Sequence, residues 1–367
     1  MDSKEIVYIF KSYPTESKGI IKKVNQTNQA LIDAGYDSKV FRTTLPTLGA
    51  LIKISIHLLK SRAGLHIVRN HPILTPLLAP IIIFKRITGS KFALDIPTPI
   101  HSLVKEQVKA KKNTATAYLK LMLIYILSPI SNLAFNRIIQ YAPESRYFSL
   151  FAKRKTLLTA NGIDVKSIPF QPKPLTHHNH VHLIAVAHIQ YWHGFDRLIK
   201  SLHATVESSK DQTSRFKLTI IGDGDAKTEL VQLSETLGLE EYITFTGALD
   251  QKELSERLMK ADIGICSLGL HRSNLFFAST LKAREYIAHG IPIVLAGTDP
   301  DFDERLDFVF AATNNEDLID LDSIYRRYLT VKNSNANWAM NIRKYAETNL
   351  DFSVKVRSQF LDLIAER

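Results

Sequence analysis

The carboxylate of Glu285 lies where a carboxylate is costly. Residues 280–289 read as a helix, stopped by Gly290 and Pro292 in the usual chemistry of a helix end. On that helix Leu281, Glu285 and Ala288 fall at i, i+4 and i+7, which predicts Glu285 on the buried face. An ionised carboxylate there costs several kcal/mol unless something donates to it. Either it forms a structural ion pair with Lys282 or Arg284, or it accepts hydrogen bonds from a bound polyol such as a ribose.

Groups suited to an anion stand in three neighbouring loops. The stretch HIQYWHGF brings His188 and His193 to Gly194, where a helix opens whose N-terminus could hold a phosphate. If His193 is a phosphate donor its charged form matters, and activity should weaken as pH rises through its pKa. Gly222, Asp223 and Gly224 make a tight turn that permits close backbone approach. The third loop carries His271, Arg272, Ser273 and Asn274 and leads to Lys282; Arg meets phosphate oxygens as a fork and Lys as a point charge. In the first half, Lys18 and Gly19 stand where the loop SYPTESKGI meets a helix. Further on, Asp95, Thr98 and His101 are the polar groups of a loop at a strand end, although Asp95 also reads as a satisfied structural carboxylate.

The elements that must position these groups alternate regularly. Residues 6–10, 37–42, 66–69 and 91–96 read as short apolar strands, with helices over 46–62 and 74–86 between them. Residues 137–140 and 156–159 add two more strands. A second series has strands at 181–187, 216–221, 242–246, 263–268 and 293–296, and the chain from Ile319 onward is helical. This βα order with apolar strands predicts parallel sheets covered on both faces, in two Rossmann-like domains across a central cleft. Between them PFQPKPLTHHNH has no periodicity. Clustered His can suit a metal, but without Cys or acidic companions the segment reads as a linker, with domains at 1–170 and 171–345. Asp299, Asp301 and Asp303 follow the last strand and read as a solvated turn, not as a metal-binding pair.

At 367 residues the chain has room for two cores, and 45% hydrophobic with 23% charged residues suits a globular protein. The start MDSKEIVYIF does not read as a secretory signal. The longest apolar stretches, 72–84 and 121–135, contain Pro and fall short of the roughly 20 residues that span a bilayer. A single cysteine, Cys266, excludes an internal disulfide and suits a reducing compartment. Charge is unevenly placed: residues 1–168 hold 25 Lys+Arg against 9 Asp+Glu, a balance of +16, while the remainder carries −5 of the total +11. The first half therefore meets something anionic. Its basic residues do not interleave with aromatics and no nucleic-acid reader motif is present. Lys105, Lys109, Lys111 and Lys112 precede YLKLMLIYILSPI, the pattern of an interfacial element beside anionic lipid; a solvated basic face beside a core helix is the other reading.

Taken in order, HGFDRLI, LTIIGDGD, ITFTG, ADIGICSL and KAREYIAHGIPIV resemble the donor domain of the retaining GT-B glycosyltransferases of family 4, the glycosyltransferases group 1. The Gly19 loop and TANGID extend the resemblance into the first half. It implies a nucleotide-sugar donor held mainly by the second domain, acceptor contacts from the first, and a final helix over about 346–367 that packs back on the first domain. It gives Glu285 the donor ribose, Gly19 the diphosphate, and Gly222 to Gly224 the turn beside the nucleotide. Three positions depart from the family. The Arg and Lys that commonly clamp the pyrophosphate stand here as His188 and His193. The first of the usual paired glutamates would be Phe277, and the loop before Glu285 is longer, so that Arg272 or Lys282 could supply the missing charge. The strand that often leads to a catalytic-site His ends in DIPTP, where Asp95 or His101 could substitute.

The expected activity is a metal-independent retaining transfer of a sugar from a nucleoside-diphosphate sugar to a carbohydrate acceptor, lipid-linked, in surface polysaccharide or glycan synthesis. No cofactor is expected. The expected place is the cytoplasm, peripheral on the inner face of the membrane, with an anionic membrane surface and no nucleic acid as partner. A sugar-nucleotide epimerase or phosphorylase on the same fold, or a nonenzymatic anionic-surface binding module, are the rival readings.

Overall fold

The structure, a computed structural model, describes residues 4–12, 18–109, 115–172, 180–209 and 214–365. The chain divides into two compact units, Met1–Ala160 with Phe352–Arg367, and Asn161–Asp351. The division comes before the Pro- and His-rich stretch, of which residues 173–179 lie outside the described residues.

In the first unit β1 (Glu5–Lys11), β2 (Asp37–Thr43), β3 (Leu65–Arg69), β4 (Lys91–Ile96), β5 (Arg137–Gln140) and β6 (Thr156–Leu158) form one sheet. The order is β2-β1-β3-β4-β5-β6 and every pairing is parallel. The helices are α1 (Lys18–Asp33), α2 (Thr47–Lys60), α3 (Leu74–Ile87), α4 (Ile100–Lys109) and α5 (Ala115–Ser131). Alternate residues of a strand face opposite sides, so a sheet covered twice needs both sets apolar. In β1, Val7 and Ile9 pack with Ile54 of α2 and Leu78 and Ile82 of α3. Ile6, Tyr8 and Phe10 point the other way, onto Val24 and Leu31 of α1. The end of the chain closes that second face, through Phe352, Val356, Phe360 and Leu363.

The second unit holds β7 (Val181–Val186), β8 (Phe216–Ile221), β9 (Ile243–Gly247), β10 (Ile263–Ile265), β11 (Ile293–Ala296) and β12 (Val309–Ala312). Its helices are α6 (Phe195–Ser208), α7 (Lys227–Thr236), α8 (Gln251–Lys260), α9 (Leu281–Ala288), α10 (Leu321–Ser334) and α11 (Trp338–Tyr345). The parallel order β12-β11-β10-β7-β8-β9 reverses direction between β7 and β10, and an open α/β sheet places ligands outside the strand ends at such a point. Two differences from the sequence reading concern this sheet. Strand β10 stops at Ile265 because the chain then turns to pack on the loop after β7, where the Leu268 N–H donates to the His193 carbonyl at 2.8 Å. Strand β12, four residues without a strong turn signal, was not expected at all; its pairing with β11 defines it.

Candidate functional site

The geometry of α9 is set by Tyr286. Its ring lies against Gly264, where an added Cβ would come within 2.3 Å of it, and its hydroxyl accepts the Val186 N–H at 2.9 Å. With Tyr286 wedged between β7 and β10, the buried residues of α9 are Ala283, Arg284, Tyr286, Ile287 and Ala288. Leu281 is 58% exposed and Glu285 is half-buried. Of the expected inward stripe, Ala288 is buried, Glu285 is only half-buried and Leu281 is corrected to the exposed face: tertiary wedging of one aromatic ring turned the helix.

The structural ion pair on α9 belongs to Arg284. This guanidinium, wholly buried, meets Asp299 at 2.7 Å and Asp301 at 2.8 Å and donates to the Asn161 and Thr280 carbonyls, both at 2.8 Å. Asp299 is itself buried, so the turn read as solvated is solvated only at Asp303, which pairs with exposed Arg305. Arg284 and Tyr286 together fix α9 from two sides.

Lys282 shares a helix face with Glu285, three residues on. Part of its stem is open, but its ammonium is enclosed and makes no hydrogen bond. It lies 5.4 Å from the centre of the Phe195 ring, at the start of α6. Burial pulls its pKa from 10.5 down to about 8, partly opposed by Cys266, whose own thiol burial pushes up to about 12. Thr280, immediately ahead of α9, also has a buried hydroxyl oxygen without a partner. Two unsatisfied polar groups therefore sit at one helix start, beside the carboxyl ends of β7 and β10. Unpaired buried groups of this kind cost stability, and an anion would satisfy both.

His193 adds a neutral donor. Its Nδ1 accepts the Gln190 N–H at 3.1 Å, which leaves the proton on Nε2. Burial first, then the Lys282 charge, holds its pKa down to about 3, so the ring is uncharged at neutral pH. The expected decline of activity through a His193 titration is corrected accordingly. His188 is exposed, with its Nε2 3.3 Å from Gln190 Nε2.

Arg272 is already engaged. It forks onto Asp196 at 2.7 and 2.9 Å, meets Glu316 at 2.6 Å and donates to the Tyr191 carbonyl at 2.8 Å. Its role here is to clamp the loop after β10 onto the start of α6. We expect Arg272→Ala to lower stability by about 1–2 kcal/mol, discounted because Glu316 is largely exposed, while leaving donor affinity near wild type. Denaturant melts with and without donor check this; unchanged stability with lost affinity would return Arg272 to the ligand.

The glycines hold these loops together by backbone contact. A Cβ on Gly194, at φ 65°, would meet Gly269 N at 2.6 Å. Gly222 and Gly224 press on the loop after β7, where Cβ atoms would fall 1.8 Å from the Ala187 oxygen and 2.2 Å from the Ile189 oxygen. Their missing side chains make room for protein, which shapes the loop that carries His188 and His193. HGFDRLI reads in the same way: Phe195 lies beneath Lys282, Asp196 holds Arg272, and buried Arg197 donates to the Leu268, Thr313 and Asp317 carbonyls.

In the first unit, Asp95 is 1% exposed and interacts with Tyr8, whose hydroxyl donates to it, and with Arg69 at 3.3 Å. Burial and Asp95 push the Tyr8 and Tyr141 hydroxyls well above the ordinary tyrosine range. This enclosed cluster occupies Asp95 Oδ2, while the buried Oδ1 makes no hydrogen bond. His101 is more open, and its Nδ1 is held 2.5 Å from Glu144. Glu144 also accepts from the Ile100 and Ser145 N–H groups, at 2.5 and 2.8 Å, so it caps α4 and orients the imidazole together. Gly19 falls in the first turn of α1; residues 13–17 before it, and Lys111 and Lys112, lie outside the described residues. Glu144, the unpartnered Thr280 hydroxyl and the anchor Tyr286 were not foreseen from the sequence, and Arg284 was read only as a partner for Glu285. Only Tyr286 had a local signal, the glycine opposite it in ADIGIC.

Residues 180–320, most of the second unit, match the family described as glycosyl transferases group 1. Comparison with curated proteins gives no match. Among solved structures, the glycosyltransferase from Rickettsia africae ESF-5 superposes with a TM-score of 0.65 at 12% identity over 99% of both chains. The lipopolysaccharide outer core galactosyltransferase WaaB, in its apo form, gives 0.60 at 12% over 98% of this chain and 99% of that one. The sucrose-phosphate synthase from Thermosynechococcus elongatus gives 0.59 at 14% over 99% and 100%. At these identities the likeness is one of fold, and that fold is GT-B.

Proposed function

We propose that this chain is a glycosyltransferase that takes a nucleoside-diphosphate sugar in its second unit and passes the sugar to a carbohydrate acceptor, with retention. The observation that carries this reading is the unsatisfied Lys282 ammonium beside Glu285 at the β7/β10 switch point. The family match over residues 180–320 supports it. In this reading Glu285 accepts hydrogen bonds from the donor ribose, and Lys282, the His193 Nε2–H and the Thr280 hydroxyl face the diphosphate. As the glycosidic bond opens, positive charge grows on the sugar ring and negative charge on the leaving diphosphate. A buried ammonium is worth most against that charge because little water screens it, and it takes over the neutralisation that a metal would otherwise supply. His101, oriented by Glu144, belongs to the acceptor side. A lipid-linked acceptor in glycan synthesis puts the work of the chain at the inner face of a membrane, and the +16 balance of residues 1–168 suits such a surface.

The test is a panel of nucleotide sugars scored by thermal shift, followed by turnover with lipid-linked acceptors. One donor should raise the melting temperature, and free nucleoside diphosphate should appear only when acceptor is present. Release of an epimerised donor without acceptor would overturn the transferase reading.

A further inference from the structure

We propose that the outer face of the α2–α3–α5 layer in the first unit is the surface that lies on an anionic lipid bilayer. The proposal deepens the membrane reading above and depends on no step of the transferase chemistry. The expected interfacial element, the lysines at 105–112 with YLKLMLIYILSPI, includes α5; the proposal adds α2 and α3, with α3 between α2 and α5.

Helices α2 and α3 carry an apolar stripe for the sheet, α5 packs Ile124 against Ile100, Val104 and Phe148, and all three have exposed apolar residues besides. On α2, Ile54 and Leu58 are buried, whereas Ile52 and Ile56 are 54% and 48% exposed. On α3, Leu78 and Ile82 face the core, and Phe84 and Ile87 are exposed. On α5, Ile124 is buried, and Met122 and Ile126 are exposed. An exposed apolar face of several adjacent helices is far beyond the scattered residues of an ordinary surface. The charge on the same helices selects the occupant. None of the three contains an Asp or Glu, while exposed Lys53, Lys60 and Lys120 stand beside the apolar residues. Apolar side chains bordered by cations alone fit the acyl and phosphate layers of an anionic leaflet. A second copy of this chain fits poorly, because a two-fold interface would set these lysines against each other with no acid to pair them. Among the described residues no helix is long and apolar enough to cross a membrane, so the layer would lie on the surface.

The experiment is flotation of the full-length protein with vesicles of phosphatidylcholine alone and of phosphatidylcholine with phosphatidylglycerol, beside light scattering for oligomeric state. The wild type should float as a monomer with the anionic vesicles and much less with the neutral ones. The variant Ile52→Gln/Ile56→Gln/Met122→Gln/Ile126→Gln changes exposed positions only and should lose partitioning at least about tenfold, with an unaltered melting curve. Lys53→Ala/Lys60→Ala should lose about fivefold per lysine on anionic vesicles and little on neutral ones. A wild type that stays behind with both vesicles overturns the proposal. So does a dimer that the Gln variant dissociates, which would assign the face to a second copy. Donor-dependent thermal shifts should be the same in all variants, so a failed transferase assay leaves the vesicle result standing.

Discussion

Lys282→Met should raise the melting temperature of the ligand-free protein and lower kcat/KM by about 10²–10³. Both effects have one cause. Met keeps the unbranched stem over Phe195 but removes an enclosed ammonium that has no partner, so the empty fold is relieved of a desolvated charge. The same change removes the cation nearest the proposed leaving group. The pH dependence carries a definite sign. With the folded-state pKa near 8, against the ordinary lysine value of 10.5, the unfolded chain binds more protons between those values. The wild type therefore gains stability as pH rises through that window, and the variant lacks this rise. Catalysis runs the opposite way: kcat/KM should fall above about pH 8 in the wild type, with that limb absent in the variant. Differential scanning fluorimetry and a pH–rate profile check both arms. A less stable variant that keeps wild-type kcat/KM would make Lys282 a packing residue.

Glu285→Gln should weaken binding of the nucleotide-sugar donor by about 10–100-fold, the loss expected when a charged acceptor of hydrogen bonds becomes a neutral one. Gln keeps the size and α9 stays anchored by Arg284 and Tyr286, so the fold should be unaffected. Inorganic diphosphate separates the two residues. It should bind the Glu285 variant as it binds the wild type and should fail to bind the Lys282 variant, because of these two residues Lys282 faces the phosphates in the proposed arrangement and supplies their cation. Titration calorimetry with donor and with diphosphate reads both. Wild-type donor affinity in Glu285→Gln would end the ribose assignment.

Much of this protein was legible in its residues. The short apolar strands, the helix stops at Gly290 and Pro292, and the glycine turns depend on local propensity and on a repeating period, which neighbouring residues set by themselves. So two parallel α/β halves and the positions of the loops at strand ends could be read directly. Charge could be read too, because it is a sum over residues: the +16 of residues 1–168 needs no coordinates.

What the residues could not settle was which cations are occupied. Arg272 and Lys282 were equal candidates for the missing charge, and His193 a third. The fold decided among them through partners far away in the chain: Asp196 and Glu316 take Arg272, and Asp299 and Asp301 take Arg284. Burial drains the charge from His193, and Lys282 alone of these four keeps its ammonium enclosed without a partner. Ion pairing and desolvation act across space, with no period or spacing along the chain to announce them. The same holds for the outer stripe of α2, α3 and α5: the sequence shows apolar helices, and only their packing shows which side of each is left uncovered.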